Sequence, residues 1–400
     1  MFVWLLSRFR TRLCVLAALL IFPALYCQGQ KGVPGVTATS IRIGSCAPLD
    51  GPTSFLGMQI ELGALSYFHM VNDEGGVHGR TIDFRFFDDG YDPEKAARCF
   101  DRLNKQDVFA IGFLVGTSTA LKYVPLAEAE KMPIVGLFTG APQLYEPPKH
   151  YVICVRASYA DEAHVLIDNL WKARGIRKFG VIYQDDTFGK VVLDEVESAL
   201  SAHQSNLVAS GKFARNTLDV AQATKAVRDA RPEAVILAGP YAPVAAILKQ
   251  AHSSGWDPFF LATSFVGTEG LVRAAESDAN GVIISEVLPS YDRSEEPTVK
   301  LYRTALEKYA GGTPPSYISF EGFVDAMVIV EGLKRAGKDL TRERFISAIE
   351  SIQNMDVGLG PRFMLDYGVK DHKGFNSVDA VVLRNGRPLP ITDWKNLPTE

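Results

Sequence analysis

The chain has 400 residues, 42 Lys+Arg against 46 Asp+Glu, 47% hydrophobic and 22% charged residues. That composition excludes a disordered chain, and five cysteines in this length exclude a disulfide-built scaffold. A formal charge of −4 without a long basic run argues against nucleic acid as a partner.

The first residues read as a secretory signal. Arg8, Arg10 and Arg12 precede the apolar run Leu13 to Leu25, interrupted only by Pro23. The run is shorter than the ~20 apolar residues of a comfortable membrane span. Gly29 is taken as the last residue removed, while an uncleaved anchor stays open because Phe2–Leu6 is also apolar. Tyr26 is too bulky to precede a lipidated Cys27, so a lipoprotein is not expected. Without residues 1–29, 39 basic and 46 acidic residues remain, a charge of −7. The chain is expected to be exported, soluble and acidic. Cys46, Cys99 and Cys154 are then an odd set, read as buried free thiols; a Cys46–Cys99 bridge cannot be argued from spacing.

Strand and helix alternate along the chain. Ser40–Ser45 reads as a strand and Gly57–Glu74 as a helix, stopped by Gly75-Gly76. Thr81–Asp88 alternates as an edge strand with one wet face. Helix Pro93–Lys105, strand Phe109–Leu114, helix Thr119–Lys131 and strand Pro133–Leu137 follow. After strand Tyr151–Arg156 a second series begins with helix Asp161–Arg174, strand Lys178–Tyr183, helix Gly189–Ala202 and strand Leu207–Lys212. Helix Val220–Asp229, strand Ala234–Ala238, helix Val244–Ser253, strand Phe259–Ala262 and helix Glu269–Ala275 complete it. Helices Glu296–Tyr309, Phe320–Arg335 and Arg342–Ile349 come next, then strand Ala380–Leu383 and the turn Asn385-Gly386. Two βα series with short apolar strands imply an α/β chain with two doubly wound domains.

Ligands of open α/β sheets sit beyond the carboxyl ends of strands. That rule selects the loops Ala47–Phe55, Val115–Thr119, Phe138–Pro142, Gln184–Gly189, Gly239–Pro243 and Thr263–Thr268. Their hydroxyls, glycines and aromatic rings suit a small anion with an apolar body, because helix-start N–H groups favour negative charge. Thr117, Ser118 and Thr119 read equally well as helix caps. Asp185-Asp186 and Asp88-Asp89 read as solvated loop or cap residues, and Glu321 as a structural residue. Phe188 and Tyr241 fit the core as well as a ligand wall. No dinucleotide, Walker or nucleophile-elbow motif occurs, and the seven histidines lack metal spacing. No enzyme, metal or cofactor is expected.

The strings Ala47–Pro52, Gly57, Asn72–Val77 and Asp88–Pro93 resemble the type I periplasmic solute-binding proteins, closest to the leucine/isoleucine/valine-binding group of ABC importers. Gly116-Thr117, Phe138–Pro142, Tyr183–Gly189 and Lys373–Phe375 carry the resemblance over residues 38 to 395. It implies two Rossmann-like lobes joined by a three-segment hinge, lobe one 38–158 plus 288–357 and lobe two 159–287 plus 358–397. It further implies a ligand carboxylate held by Val115–Thr119 and Phe138–Gly140, with Phe188 and Tyr241 closing over it. The implied partners are a small-molecule ligand and a membrane permease, the chain itself a monomer.

Three departures from the amino-acid binders stand out. Ser264 replaces the acid that takes the ligand ammonium, and Leu56, next to Phe55, replaces the pocket indole. Tyr91 and Val115 replace the small disulfide of the first lobe. A buried ammonium without a carboxylate is costly. The expected ligand is therefore a carboxylate or amide with an apolar or aromatic body. The candidate binding residues are Phe55, Thr117, Ser118, Phe138, Thr139, Gly140, Phe188, Tyr241 and Ser264. A sensory module presenting the same kind of ligand to a signalling partner is the alternative.

Overall fold

The structure, a computed structural model, describes residues 32–399. The expected signal segment lies outside these residues. The first sheet is all parallel, in the order β2-β1-β3-β4-β5, from Ser40–Ala47 (β1), Thr81–Asp88 (β2), Ala110–Val115 (β3), Ile134–Phe138 (β4) and Val152–Ile153 (β5). Helices α1 (Ser54–Asp73), α2 (Pro93–Lys105) and α3 (Thr117–Glu130) connect its strands. As expected, β2 is the edge strand and only partly buried, whereas β3 and β4 are buried throughout.

After β5 the chain enters α4 (Tyr159–Asn169) and a second sheet. There β6 (Phe179–Gln184), β7 (Ala209–Phe213), β8 (Ala234–Ala238), β9 (Phe259–Ala262) and β10 (Ile283–Glu286) run parallel in the order β7-β6-β8-β9-β10. The connecting helices are α5 (Thr187–Ser201), α6 (Ala221–Asp229), α7 (Tyr241–Ser253) and α8 (Thr268–Ala275). The chain then returns to the first sheet with α9 (Pro297–Tyr309), α10 (Tyr317–Ala336) and α11 (Arg342–Glu350); α9 and α10 pack on α1, α10 also covers β3 and β4, and α11 packs on α10. A short antiparallel pair, β11 (Met355–Asp356) and β12 (Met364–Leu365), precedes β13 (Asp379–Arg384) and β14 (Arg387–Pro390), which extend the second sheet antiparallel beyond β10.

Local chemistry fixes these ends. Asp92 accepts from the N–H groups of Glu94 and Lys95 at the start of α2, with Pro93 in the first turn. Ser158 and Asp161 form a reciprocal box at α4, and Ser316 and Ser319 another at α10. Gly75 and Gly76 take φ values of 97° and 73°, and the Gly76 N–H returns to Val71 O at 2.9 Å, ending α1 as the sequence implies. Helices α1 and α10 touch backbone to backbone, since a methyl at Gly63 would lie 1.8 Å from Ser319 O and one at Gly322 2.3 Å from Ile60 O.

Four expectations change. Cys46 and Cys99 form a disulfide, with Cα atoms 6.4 Å apart, because α2 packs on β1; Cys154 is buried and unpaired among the described residues. Strand β10 is additional to the strands read from the sequence. The helix expected over Asp161–Arg174 divides into α4 and a wider turn, Leu170–Arg174, ended by left-handed Gly175. Asp89 is no solvated or capping residue. It is fully buried, accepts from the Tyr91 N–H at 2.8 Å and the Tyr123 hydroxyl at 3.4 Å, and burial pushes its carboxyl up to about 7.

Candidate ligand-binding site

Each sheet reverses its strand order once, between β1 and β3 in the first and between β6 and β8 in the second. Crevices form beyond the carboxyl ends at such switch points. Here the loops after β2 and β3 meet those after β6 and β7. The Ser118 hydroxyl donates to Asp186 Oδ2 at 2.9 Å, and Gln184 Nε2 donates to the Tyr91 hydroxyl at 3.3 Å. Arg215 donates to the Tyr91 carbonyl through Nε (2.9 Å) and Nη2 (2.6 Å), lays its guanidinium 3.5 Å from the Tyr91 ring centroid, and pairs with Asp186 through Nη1. Asp186 also caps α5, accepting from the Gly189 N–H at 3.1 Å, so the capping role read for it holds.

Helix α3 begins directly after Gly116, whose φ of 96° and lack of a side chain admit Tyr91; a methyl there would lie 2.5 Å from the ring. Thr117, Ser118 and Thr119 thus fall inside the helix and none caps it. Thr117 instead shares a 2.7 Å hydrogen bond with Thr139 beyond β4, and Thr119 bonds back to Gly116 O at 2.8 Å. Thr117 and Thr139 are buried.

Beside this hydroxyl pair stands a wall of buried rings. Phe265 contacts Phe188 at 4.4 Å between centroids, Phe138 at 5.5 Å and Tyr91 at 6.1 Å, and Tyr159 contacts Phe188 at 5.5 Å. Burial raises the hydroxyl pKa values of Tyr91 and Tyr159, so both stay protonated donors. The Tyr159 hydroxyl and Gln184 Oε1 are buried without a hydrogen-bond partner among the described residues.

The chain between β5 and α4 brings Arg156 to the end of the wall, its guanidinium 5.1 Å from the Phe138 centroid and 5.9 Å from that of Tyr159. Arg156 Nη2 donates to Glu162 at 3.1 Å and to the Ser264 hydroxyl, and Nη1 to Glu321 at 3.3 Å. Glu162 accepts in addition from the Ser264 N–H (2.7 Å) and hydroxyl (3.1 Å) and from the Ser285 hydroxyl (2.6 Å). Burial raises the Glu321 carboxyl to about 7 against the lowering pull of Arg156. Among the described residues no cluster of His, Cys, Asp and Glu could hold a metal ion, and no helix is long and apolar enough to cross a membrane.

Residues 40–387 match the family model described as periplasmic binding protein. The chain belongs to that family. This periplasmic binding protein is 22% identical over 333 residues to Leu/Ile/Val-binding protein homolog 3 of Brucella melitensis biotype 1, covering 82% of this chain and 88% of that one. Its fold matches the crystal structure of "a possible leucine/isoleucine/valine-binding protein" from Rhodopirellula baltica SH 1 at 31% identity and TM-score 0.86, over 90% of this chain and 98% of the other. It also matches a fatty acid ABC transporter substrate-binding protein from Thermomonospora curvata at 24% identity and TM-score 0.81, over 92% and 97% of the two chains. The periplasmic binding protein is a solute binder and not an enzyme. Members of the family bind small molecules and work with ABC permeases.

In this binding protein the residues picked from the sequence fall into four groups. Thr117, Phe138, Thr139, Gly140 and Phe188 come together, Gly140 through its carbonyl, which accepts the Tyr159 N–H at 2.9 Å. Ser118 joins the contact with Asp186. Phe55 and Tyr241 form a separate half-buried pair, edge to face at 5.9 Å, with the Phe55 N–H 3.4 Å from the Tyr241 hydroxyl. Ser264 sits in the Arg156–Glu162 group. Sequence reading missed Arg156, Tyr159, Glu162 and Phe265; the signal available was an arginine closing the otherwise apolar run Tyr151–Val155, six residues before a glutamate.

Proposed function

We propose that this chain is the exported receptor of an ABC importer. It captures a small carboxylate- or amide-bearing solute with an apolar or aromatic body between two closing lobes. The lobes are 38–158 plus 288–357, built on the first sheet, and 159–287 plus 358–397, built on the second. The observation that carries this reading is the buried Thr117–Thr139 hydroxyl pair beside the rings of Phe138, Phe188, Phe265 and Tyr159. Hydroxyls and free N–H groups at the start of α3 suit the oxygens of a carboxylate or amide, and the rings suit its apolar body.

The relatives' names speak of leucine, isoleucine and valine, which share a carboxylate beside an apolar body. The body and carboxylate are retained in this proposal and the ammonium is not, because Ser264 stands where the amino-acid binders it resembles carry an acid. Closure around a solute that contacts both lobes shifts the population from open to closed, a difference a permease can read. A panel of branched amino acids, short-chain carboxylates and aromatic carboxylates read by thermal shift tests it. Stabilisation by carboxylates is expected; stabilisation by branched amino acids alone overturns the ligand class.

A further inference from the structure

We infer that Arg156 is the specificity-determining residue of this site, a built-in cation that admits carboxylates lacking an α-ammonium group and turns away α-amino acids. The inference rests on the site proposed above and narrows its ligand.

A guanidinium taken out of water must be paired or it is costly. Arg156 has a side chain 1% exposed and three of its donor bonds accounted for, to Glu162, Ser264 and Glu321. Its Nε is buried and has no partner among the described residues, although guanidinium presents five N–H donors in a fixed fork. The Tyr159 hydroxyl, on the ring 5.9 Å from the guanidinium, is the second orphan donor of the same wall. Two unpaired buried donors, one of them charged, next to an apolar aromatic surface are complementary to a carboxylate with a hydrophobic body.

The same group excludes an ammonium. The two Glu162 oxygens receive four donors, from the Ser264 N–H and hydroxyl, the Ser285 hydroxyl and Arg156, which fills the acceptor sites of a carboxylate. Glu321 is engaged by Arg156 Nη1. Both carboxylates that pair with Arg156 are thus committed to the protein's own cation, and an ammonium arriving there meets a like charge in a desolvated setting. Asp325, one turn beyond Glu321, packs against Gly136 instead, and burial holds its carboxyl well above the usual range.

Titration calorimetry on the purified protein with matched pairs tests this: 4-methylpentanoate against leucine, and 3-phenylpropanoate against phenylalanine. Each pair differs only by the α-ammonium group. The acid of at least one pair should bind about 100-fold more tightly than its amino counterpart, the scale of losing or repelling a buried charge partner. Arg156→Lys should weaken the acid roughly tenfold while keeping the preference, since charge is kept and the fork is lost. Arg156→Met combined with Glu162→Gln removes the cation and one carboxylate partner, and the remaining partner Glu321, whose carboxyl burial already raises, takes up a proton once the guanidinium is gone; the preference should be abolished. Equal or tighter binding of the amino acids, or acid binding unchanged in the double variant, overturns the inference alone. Binding of neither acids nor amino acids overturns the ligand class with it.

Discussion

Glu269 opens α8 with Oε1 shut off from solvent and Oε2 accepting the Tyr317 N–H at 3.2 Å. Burial raises its carboxyl to about 7, outweighing the Tyr291 hydrogen bond, the Tyr317 N–H and Arg273; the neighbouring Glu286 carboxyl is raised as well. The unfolded chain releases this proton near pH 4.5 and the folded chain near 7, so the folded state holds more protons between those values. Stability from this group is complete below about pH 4.5, falls as pH rises towards 7 and is level beyond. Glu269→Gln should match the wild type at pH 5 and exceed it at pH 8 by on the order of 2–3 kcal/mol in urea denaturation. An equal difference at both pH values would show the carboxyl to be ionised in the fold. Tyr241 belongs to the same scale. Its ring reaches from the second sheet to Phe55 at the start of α1, and Tyr241→Ala should weaken binding of a carboxylate such as 3-phenylpropanoate by about 1–3 kcal/mol, read by calorimetry. Unchanged affinity would make that ring scaffold. The identity of single residues was partly legible: hydroxyls and rings at strand ends could be picked out, but the partners of Arg156 could not. Glu321 lies 165 positions away on α10, which packs against the first sheet after the chain has built the parallel strands of the second, and no local pattern records that meeting.

The elements were largely readable because each apolar strand and each amphipathic helix carries its own period. Ala234–Ala238 and Phe259–Ala262 coincide with the structure end for end. Strand β10 escaped because two of its four residues, Ser285 and Glu286, are polar, and their burial is satisfied by Glu162 and Thr268 on other elements. Helix starts at α3, α5, α7 and α10 lie two or three residues earlier than the apolar period shows, since first-turn residues such as Thr117 and Tyr241 serve the loops rather than the core. Cysteine pairing depends on which face of β1 receives α2, a packing fact with no signature in spacing. The Cys46–Cys99 bridge closes a loop of 53 positions. Replacing both residues by serine should cost roughly 3–4 kcal/mol by the loop-entropy argument, measured by denaturation with and without reductant. A variant as stable as the oxidised wild type would show that β1 and α2 hold their contact unaided.

At the scale of the whole molecule, side-chain contacts join the two sheets where their switch points meet. Arg215, from the loop after β7, is spread over the Tyr91 ring and carbonyl of the first sheet and paired with Asp186 of the second, which in turn receives Ser118 of the first. The Arg215 and Asp186 side chains are only 14% and 11% exposed, so salt screens the pair weakly. Under the proposed closing motion these contacts exist only in the closed form, and their free energy adds to whatever the ligand contributes. Arg215→Met keeps much of the apolar stem and removes the donors and the charge. The variant should then populate the open form more in the absence of ligand, with a larger radius of gyration in small-angle scattering. Its affinity for the carboxylate should fall roughly 10- to 30-fold, mostly through faster release, because the binding-competent fraction shrinks while the ligand's own contacts are untouched. Saturating ligand should restore the wild-type scattering profile. A variant whose profile and affinity both equal the wild type would show that Arg215 braces its own loop and takes no part in closure.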